Sequence, residues 1–221
     1  TKGIFSKLTN KDLPMRGKRK KPYRKVREAR LPKGDGIEMR PPAIDTREQI
    51  GHWEMDSVIS AKGSKKRLLV LTERKTRHEI VELLKDGTTK SVVAALDRIE
   101  RRAGPRAFRE IFRTITVDNG SEFQDCEGIE RSCSRKAPRT HVYYCHPYSA
   151  YERGSNENAN RMIRRHLPKG TDFSTLSQKD VKKIEEWMNN YPREKLGWRS
   201  ANAAFTESLE EIGIQWRGYA G

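Results

Sequence analysis

Three carboxylates in this 221-residue chain stand where chemistry could use them. Asp56 lies within an apolar stretch, among Trp53, Met55, Val58 and Ile59. Asp118 follows the β-branched run TITV and precedes Asn119-Gly120, and Glu157 falls near the start of a helical stretch that runs to His166. A carboxylate at a strand end beside a glycine turn can project into a cleft. Three such groups brought together repel one another unless a cation joins them, and hard oxygen ligands suit Mg²⁺ or Mn²⁺. Two ions about 3.5–4 Å apart would activate an attacking oxygen and stabilise the leaving oxygen of a phosphodiester. Spacing alone leaves other roles open. The chain holds 30 acidic residues. An Asp before Gly also forms Asx turns, and a Glu in a first helical turn is favoured by the helix dipole.

The elements that must position these groups can be read from pattern. HWEMDSVIS (His52 to Ser60) alternates loosely and suits a strand. After the turn signal Lys62-Gly63-Ser64-Lys65, the apolar run RLLVLT (Arg67 to Thr72) reads as a buried strand and EIVELL (Glu79 to Leu84) as a third strand or a short helix. Thr88-Thr89 opens a helix whose Val92, Val93, Leu96 and Ile99 make one apolar face, and Gly104-Pro105 stops it. TITV and HVYYC (His141 to Cys145) are further strands. A helix through Asn156 to His166 follows, and Ser177 caps a last clear helix with Val181, Ile184, Trp187 and Met188 on one face. Three early strands followed by alternating helices and strands predict an α/β fold, a mixed sheet flanked by helices. Trp53, Trp187 and Trp198 are read as core.

Charge points to the partner. The formal net charge is +16, and residues 1–40 carry 14 Lys and Arg against four acidic residues, a net of +10. The densest stretch, RGKRKKPYRKVREAR (Arg16 to Arg30), lacks apolar periodicity and reads as an extended basic arm. Arg19, Lys20, Lys21, Arg24 and Lys25 are its candidate phosphate contacts, acting by counterion release. A basic linker without fixed contacts has the same composition. The Pro- and Gly-rich LPKGDGIEMRPPAIDTRE closes this segment near Glu48. We therefore expect three parts: arm and linker (1–48), a folded core (49–210) and a tail (211–221). A polyanion, nucleic acid first, is the expected partner. No apolar run approaches a bilayer span and no signal pattern opens the chain, so no membrane role is expected. Cys126, Cys133 and Cys145, an odd number, suit a reducing cytoplasm. With His141 and His146 they match no recognised zinc spacing.

The wider pattern is more specific. GHWEMD (Gly51 to Asp56), TVDNGSEF (Thr116 to Phe123), HPYSAYERGSNEN (His146 to Asn158), RMIRRHLPKGTDF (Arg161 to Phe173) and NNYPREKLGW (Asn189 to Trp198) occur in one order. Together they resemble the integrase-type catalytic core of IS30-family transposases, from about Gly51 to Phe205. The resemblance implies an RNase H-like fold and a metal-dependent D-D-E site. It also implies nicking of transposon ends and 3′-hydroxyl strand transfer into target DNA, in the bacterial cytoplasm at the nucleoid. Its triad falls on Asp56, Asp118 and Glu157, with two Mg²⁺ (or Mn²⁺) ions. Glu152 is a nearby rival, but the family's pattern commonly has Gln there. The stretch from Asp118 to Glu157 is longer than in the family's namesake, and the surplus is expected as a loop around Cys126 to Arg139.

Other residues follow from position. Arg161, Arg164 and Arg165 lie +4, +7 and +8 from Glu157, on or beside its helix face, and are candidate DNA contacts. Tyr148, Tyr151 and Arg153 precede the helix and could stack on or wedge bases, with core packing open for the tyrosines. Asn156 is a further DNA candidate, and Asn119 and Asn158 are supporting residues, capping being the plainer role. Processing two ends together implies a homodimer or higher oligomer on DNA, with end-reading helix-turn-helix units expected upstream. The competing readings are a nuclease of the same fold and a non-catalytic basic DNA-binding protein.

Overall fold

The computed structural model describes residues 34–147, 149, 152 and 154–216. Six strands form one sheet: β1 (Asp35–Gly36), β2 (His52–Ile59), β3 (Arg67–Glu73), β4 (Glu79–Leu84), β5 (Thr114–Val117) and β6 (His141–Tyr144). Their order is β1-β6-β5-β2-β3-β4. The meander β2-β3-β4 is antiparallel, and β5, β6 and β1 add parallel to one another beyond β2. Among the described residues six α-helices complete the fold: α1 (Thr89–Ala103), α2 (Pro105–Ile111), α3 (Cys126–Glu130), α4 (Gly154–His166), α5 (Gln178–Asn190) and α6 (Ala201–Glu211). The expected α/β architecture, a mixed sheet flanked by helices, is what the chain adopts. EIVELL is a strand rather than a helix.

Strand alternation explains both faces. Successive side chains point to opposite sides of a sheet. Trp53, Met55, Leu69, Leu71, Ile80, Leu84, Ile115 and Val117 face one core, packed by α1, α2, α3 and α6. Val58, Leu68, Val70 and Val81 face the other, packed by Ala159, Met162 and Ile163 of α4 and Val181, Ile184 and Met188 of α5. Burial on both sides is why β3 reads as an unbroken apolar run.

Helix ends follow local chemistry. The Thr88 side chain accepts from Ser91 N–H at the start of α1. Gly104 takes φ 80 at its end, and Pro105 opens α2 at once. Ser177 and Asp180 form a capping box on α5.

Several expectations need correction or extension. Gly104-Pro105 ends one helix but begins another, because Pro at a first helical position costs no hydrogen bond. A further helix, α6, follows α5; its buried positions are mostly small, Ala201, Ala204 and Ser208 beside Phe205 and Leu209, so its apolar stripe is faint in the sequence. Trp198 is not core: it is 71% exposed, on a left-handed residue (φ 66) next to left-handed Gly197. The surplus stretch after Asp118 contains helix α3, and Arg139 at its end is fully buried. Part of the Pro- and Gly-rich segment is seated on the fold: Asp35 and Gly36 pair with Tyr143 and Tyr144, and Pro42–Thr46 forms a 3-10 turn with Ile44 buried.

Candidate active site

The candidate site lies on two neighbouring parallel strands, with Asp56 in the middle of β2 and Asp118 just past the end of β5. β2 and β5 run in register through His52–Thr114, Trp53–Ile115 and Glu54–Thr116. Asp56 stands two residues beyond Glu54, and Asp118 two residues beyond Thr116. The two-residue period keeps each acid on the face of its predecessor. Asp56 also shares parity with Val58, which belongs to the core packed by α4. Both aspartates are half-buried.

Helix α4 brings the third carboxylate. Asn160 Nδ2 donates to Asp56 Oδ2 at 2.8 Å, fixing this helix against β2. Glu157 lies one turn earlier, in the first turn of α4, and is exposed. Residues three apart share a helix face. Asn160 is a site residue that the sequence reading missed, although its +3 offset from Glu157 was a usable signal.

The loop after β5 shapes Asp118. Gly120 N–H donates to Asp118 Oδ1 at 2.8 Å. A methyl group on Gly120 would stand 2.8 Å from that oxygen and 2.9 Å from Glu122 Oε2, so both carboxylates would have to shift to admit it. Asn119 Nδ2 donates to the Cys145 carbonyl at 2.7 Å, tying the turn to the end of β6. Glu122 is engaged elsewhere, accepting from Ser57 Oγ and, at 2.8 Å, from Arg67.

Glu152 is also engaged. Its carboxylate accepts from His146 N–H at 2.9 Å and pairs with His146 Nδ1 at 2.8 Å. This hydrogen bond raises the His146 pKa above its ordinary value, helped by the carboxylate's charge. Glu157, in the first turn of α4, is exposed.

The basic residues of α4 separate. Arg161 is exposed. Arg164 is half-buried and donates to the carbonyls of Ile59 (3.0 Å) and Leu167 (3.3 Å), and burial lowers its pKa. Arg165 is exposed and lies 5.7 Å over the Tyr191 ring. Asn156 is buried with both side-chain polar atoms unpartnered, while exposed Asn158 reaches only Met162 Sδ at 3.9 Å. Arg19, Lys20, Lys21, Arg24, Lys25, Tyr148, Tyr151 and Arg153 lie outside the described residues.

The triad oxygens are not drawn together to mutual distances within 4.8 Å. Among the described residues, that criterion is met by Asp97, Glu100 and Cys133. A guanidinium already fills that cluster: Arg139 Nη1 lies 2.6 Å from Asp97 and 3.2 Å from Glu100. No zinc-like set of cysteines and histidines gathers among the described residues, and burial pushes the Cys126 thiol up to about 11. The donor chemistry of Asp56, Asp118 and Glu157 does fit a hard divalent cation, being carboxylate oxygen from three separate elements with one acid open to solvent.

Sheet order, strand directions and flanking helices define an RNase H-like fold of the integrase catalytic-core type. The catalytic core of BIV integrase superposes with a TM-score of 0.53 at 17% identity, covering 73% of this chain and 97% of that one. The family model of the integrase core domain matches residues 46–150. Over most of its length it is similar to insertion-sequence transposases, as the five motif blocks indicated. The transposase for IS4351 of Bacteroides fragilis is 33% identical over 182 residues, 80% of this chain and 51% of that protein. The transposase InsI for IS30A of Escherichia coli (strain K12) is 32% identical over 168 residues, 76% of this chain and 41% of that protein. The chain thus spans about half the length of the curated relatives it matches. No helix among the described residues is long and apolar enough to cross a membrane.

Proposed function

We propose that this chain is the catalytic core of a DNA transposase, nicking transposon ends and joining the freed 3′-hydroxyl to target DNA. The observation that carries the reading is the shared parity of Asp56 and Asp118 on adjacent parallel strands, with α4 fixed to Asp56 through Asn160. Asp56, Asp118 and Glu157 would hold divalent metal ions, Mg²⁺ or Mn²⁺. Such ions, when bound, activate the attacking oxygen and offset charge on the leaving oxygen of a phosphodiester.

The chain's own residues prepare that chemistry. Asn160 and the Gly120 amide orient two of the carboxylates by hydrogen bonds, which limits their freedom before DNA arrives. Glu157 stays exposed, so a phosphodiester can approach the site from its side. Arg161, one turn along α4, offers a cation to the incoming backbone, and Arg165 a second. Arg164, whose guanidinium is spent on two carbonyls, braces the helix.

The test is strand cleavage and transfer on labelled DNA carrying the element's ends, with and without Mg²⁺. Asp118→Asn and Glu157→Gln each abolish both products while the variants remain folded. Full activity in either variant removes that residue from the site. Cleavage without joined products would identify a nuclease instead.

A further inference from the structure

A polar network, buried except at Asp45, reaches the elements of all three acids. Glu54 is fully buried on β2, two residues before Asp56 and on the same face. Its Oε2 accepts from the backbone N–H of Ser155 at 3.0 Å and of Asn156 at 3.2 Å, the residues just before Glu157. Its Oε1 accepts from Arg74 Nη1 at 3.0 Å. Arg74 Nη2 continues to Asp45 at 2.9 Å, and Asp45 also holds Arg40. Arg40 Nη1 donates to Thr116 Oγ1 at 3.1 Å, two residues before Asp118 on β5. Arg77, at the turn after β3, adds a bond to Ser155 Oγ.

Physical reasons make Glu54 the keystone. The first N–H groups of a helix have no intrahelical partner, and a buried helix start must find one. The acceptor for Ser155 and Asn156 is a carboxylate from another element, 101 residues from Ser155 in sequence. Its negative charge meets the positive end of the helix dipole. Its second oxygen is held by a buried guanidinium, so the carboxylate cannot rotate away without breaking its bond to Arg74 and leaving that cation only the exposed Asp45.

We propose that Glu54 is a positioning residue: it caps and seats the start of α4, and thereby sets where Glu157 stands relative to Asp56 and Asp118. The proposal rests on the triad reading above. Glu54 touches neither DNA nor metal; it acts through the helix, with Arg74, Asp45 and Arg40 extending the same clasp to β5.

The experiment measures Mn²⁺ binding to the whole chain without DNA, by the loss of free-Mn²⁺ paramagnetic signal, alongside backbone amide exchange. In the unsubstituted chain, the Ser155 and Asn156 amides exchange slowly despite lying at a helix start. Fast exchange there overturns the proposal before any variant is made. Glu54→Asp keeps the charge and shortens the reach, so Arg74 keeps a partner while α4 loses its cap. It weakens Mn²⁺ binding about tenfold, in the range for residues that orient ligands, and speeds exchange at Ser155 and Asn156. Glu54→Gln keeps the reach and loses the charge, and it binds Mn²⁺ more tightly than Glu54→Asp. Unchanged Mn²⁺ affinity in Glu54→Asp, or a loss confined to Glu54→Gln, overturns the proposal. Absence of Mn²⁺ binding by the unsubstituted chain, with Ser155 and Asn156 protected, would instead count against the triad itself.

Discussion

Asp56 meets α4 through one amide, and that amide has no second commitment: Asn160 Nδ2 donates to the carboxylate, while its buried Oδ1 lacks a partner. A side chain supported on one side only by packing is there chiefly for the bond it gives. Asn160→Ala should therefore cost little in folding, about 0.5–1.5 kcal/mol for the missing hydrogen bond. Its effect on metal should be larger. Without the amide, Asp56 loses one of the contacts that orient it, and Mn²⁺ affinity falls roughly tenfold. Thermal denaturation and Mn²⁺ titration on the same sample separate the two quantities; a variant with reduced stability but intact Mn²⁺ affinity would make Asn160 a packing residue. Arg164 teaches the same lesson in reverse. It sits at an offset that suggested DNA, and two of its five N–H donors go to the Ile59 and Leu167 carbonyls. Offset on a helix gives direction, and only the neighbours give occupation.

Among elements, the surplus stretch between Asp118 and Glu157 was expected as a loop and is instead a buttress. α3 packs against α1 and β6, and Arg139 is buried between them. Its guanidinium bonds Asp97, Glu100 and the carbonyls of Gly128 and Ile129. Arg139→Met strips two buried carboxylates of that cation and should destabilise the fold by about 3–5 kcal/mol. It lies away from the triad's polar network, so Mn²⁺ affinity of the folded variant should not change; a parallel loss of affinity would tie this buttress to the site. What the sequence made legible here has a physical limit. β2, β3 and β5 announce themselves by alternation or β-branched runs, and the two aspartates by their places on them. α1 and α5 announce themselves by caps and one apolar face. Glu54 was legible only as a neighbour of Asp56, because its partners Ser155 and Asn156 come from a contact across the whole domain. The same holds for Arg40 on Thr116, 76 residues apart. Local pattern specifies elements; which polar groups meet between them is fixed by packing that no window of sequence contains.

For the whole molecule, charge and site are divided along the chain. Residues 1–33 hold 13 Lys and Arg against two acidic residues, a net of +11 out of +16. Under the proposed function a polyanion must come close to three carboxylates, and a basic segment covalently joined to the fold adds attraction for it. The joint is firm: from Gly34 onward the chain is seated on the sheet, through the β1–β6 pairing and the Arg40–Asp45–Arg74 contacts. Removing residues 1–33 should therefore leave the clasp and the triad intact while withdrawing most of the net positive charge. DNA affinity then becomes less sensitive to salt, the slope of log affinity against log salt flattening by about 0.9 for each phosphate the protein no longer neutralises. Mn²⁺ binding without DNA should be unchanged. The measurement is DNA binding by fluorescence anisotropy across a salt series, for the whole chain and for the chain beginning at Gly34. Equal slopes would mean that the basic segment makes no phosphate contacts, leaving Arg161, Arg165 and the rest of the folded core to hold DNA. A flattened slope with weakened Mn²⁺ binding would mean that the segment also supports the site, through the Arg40 end of the clasp.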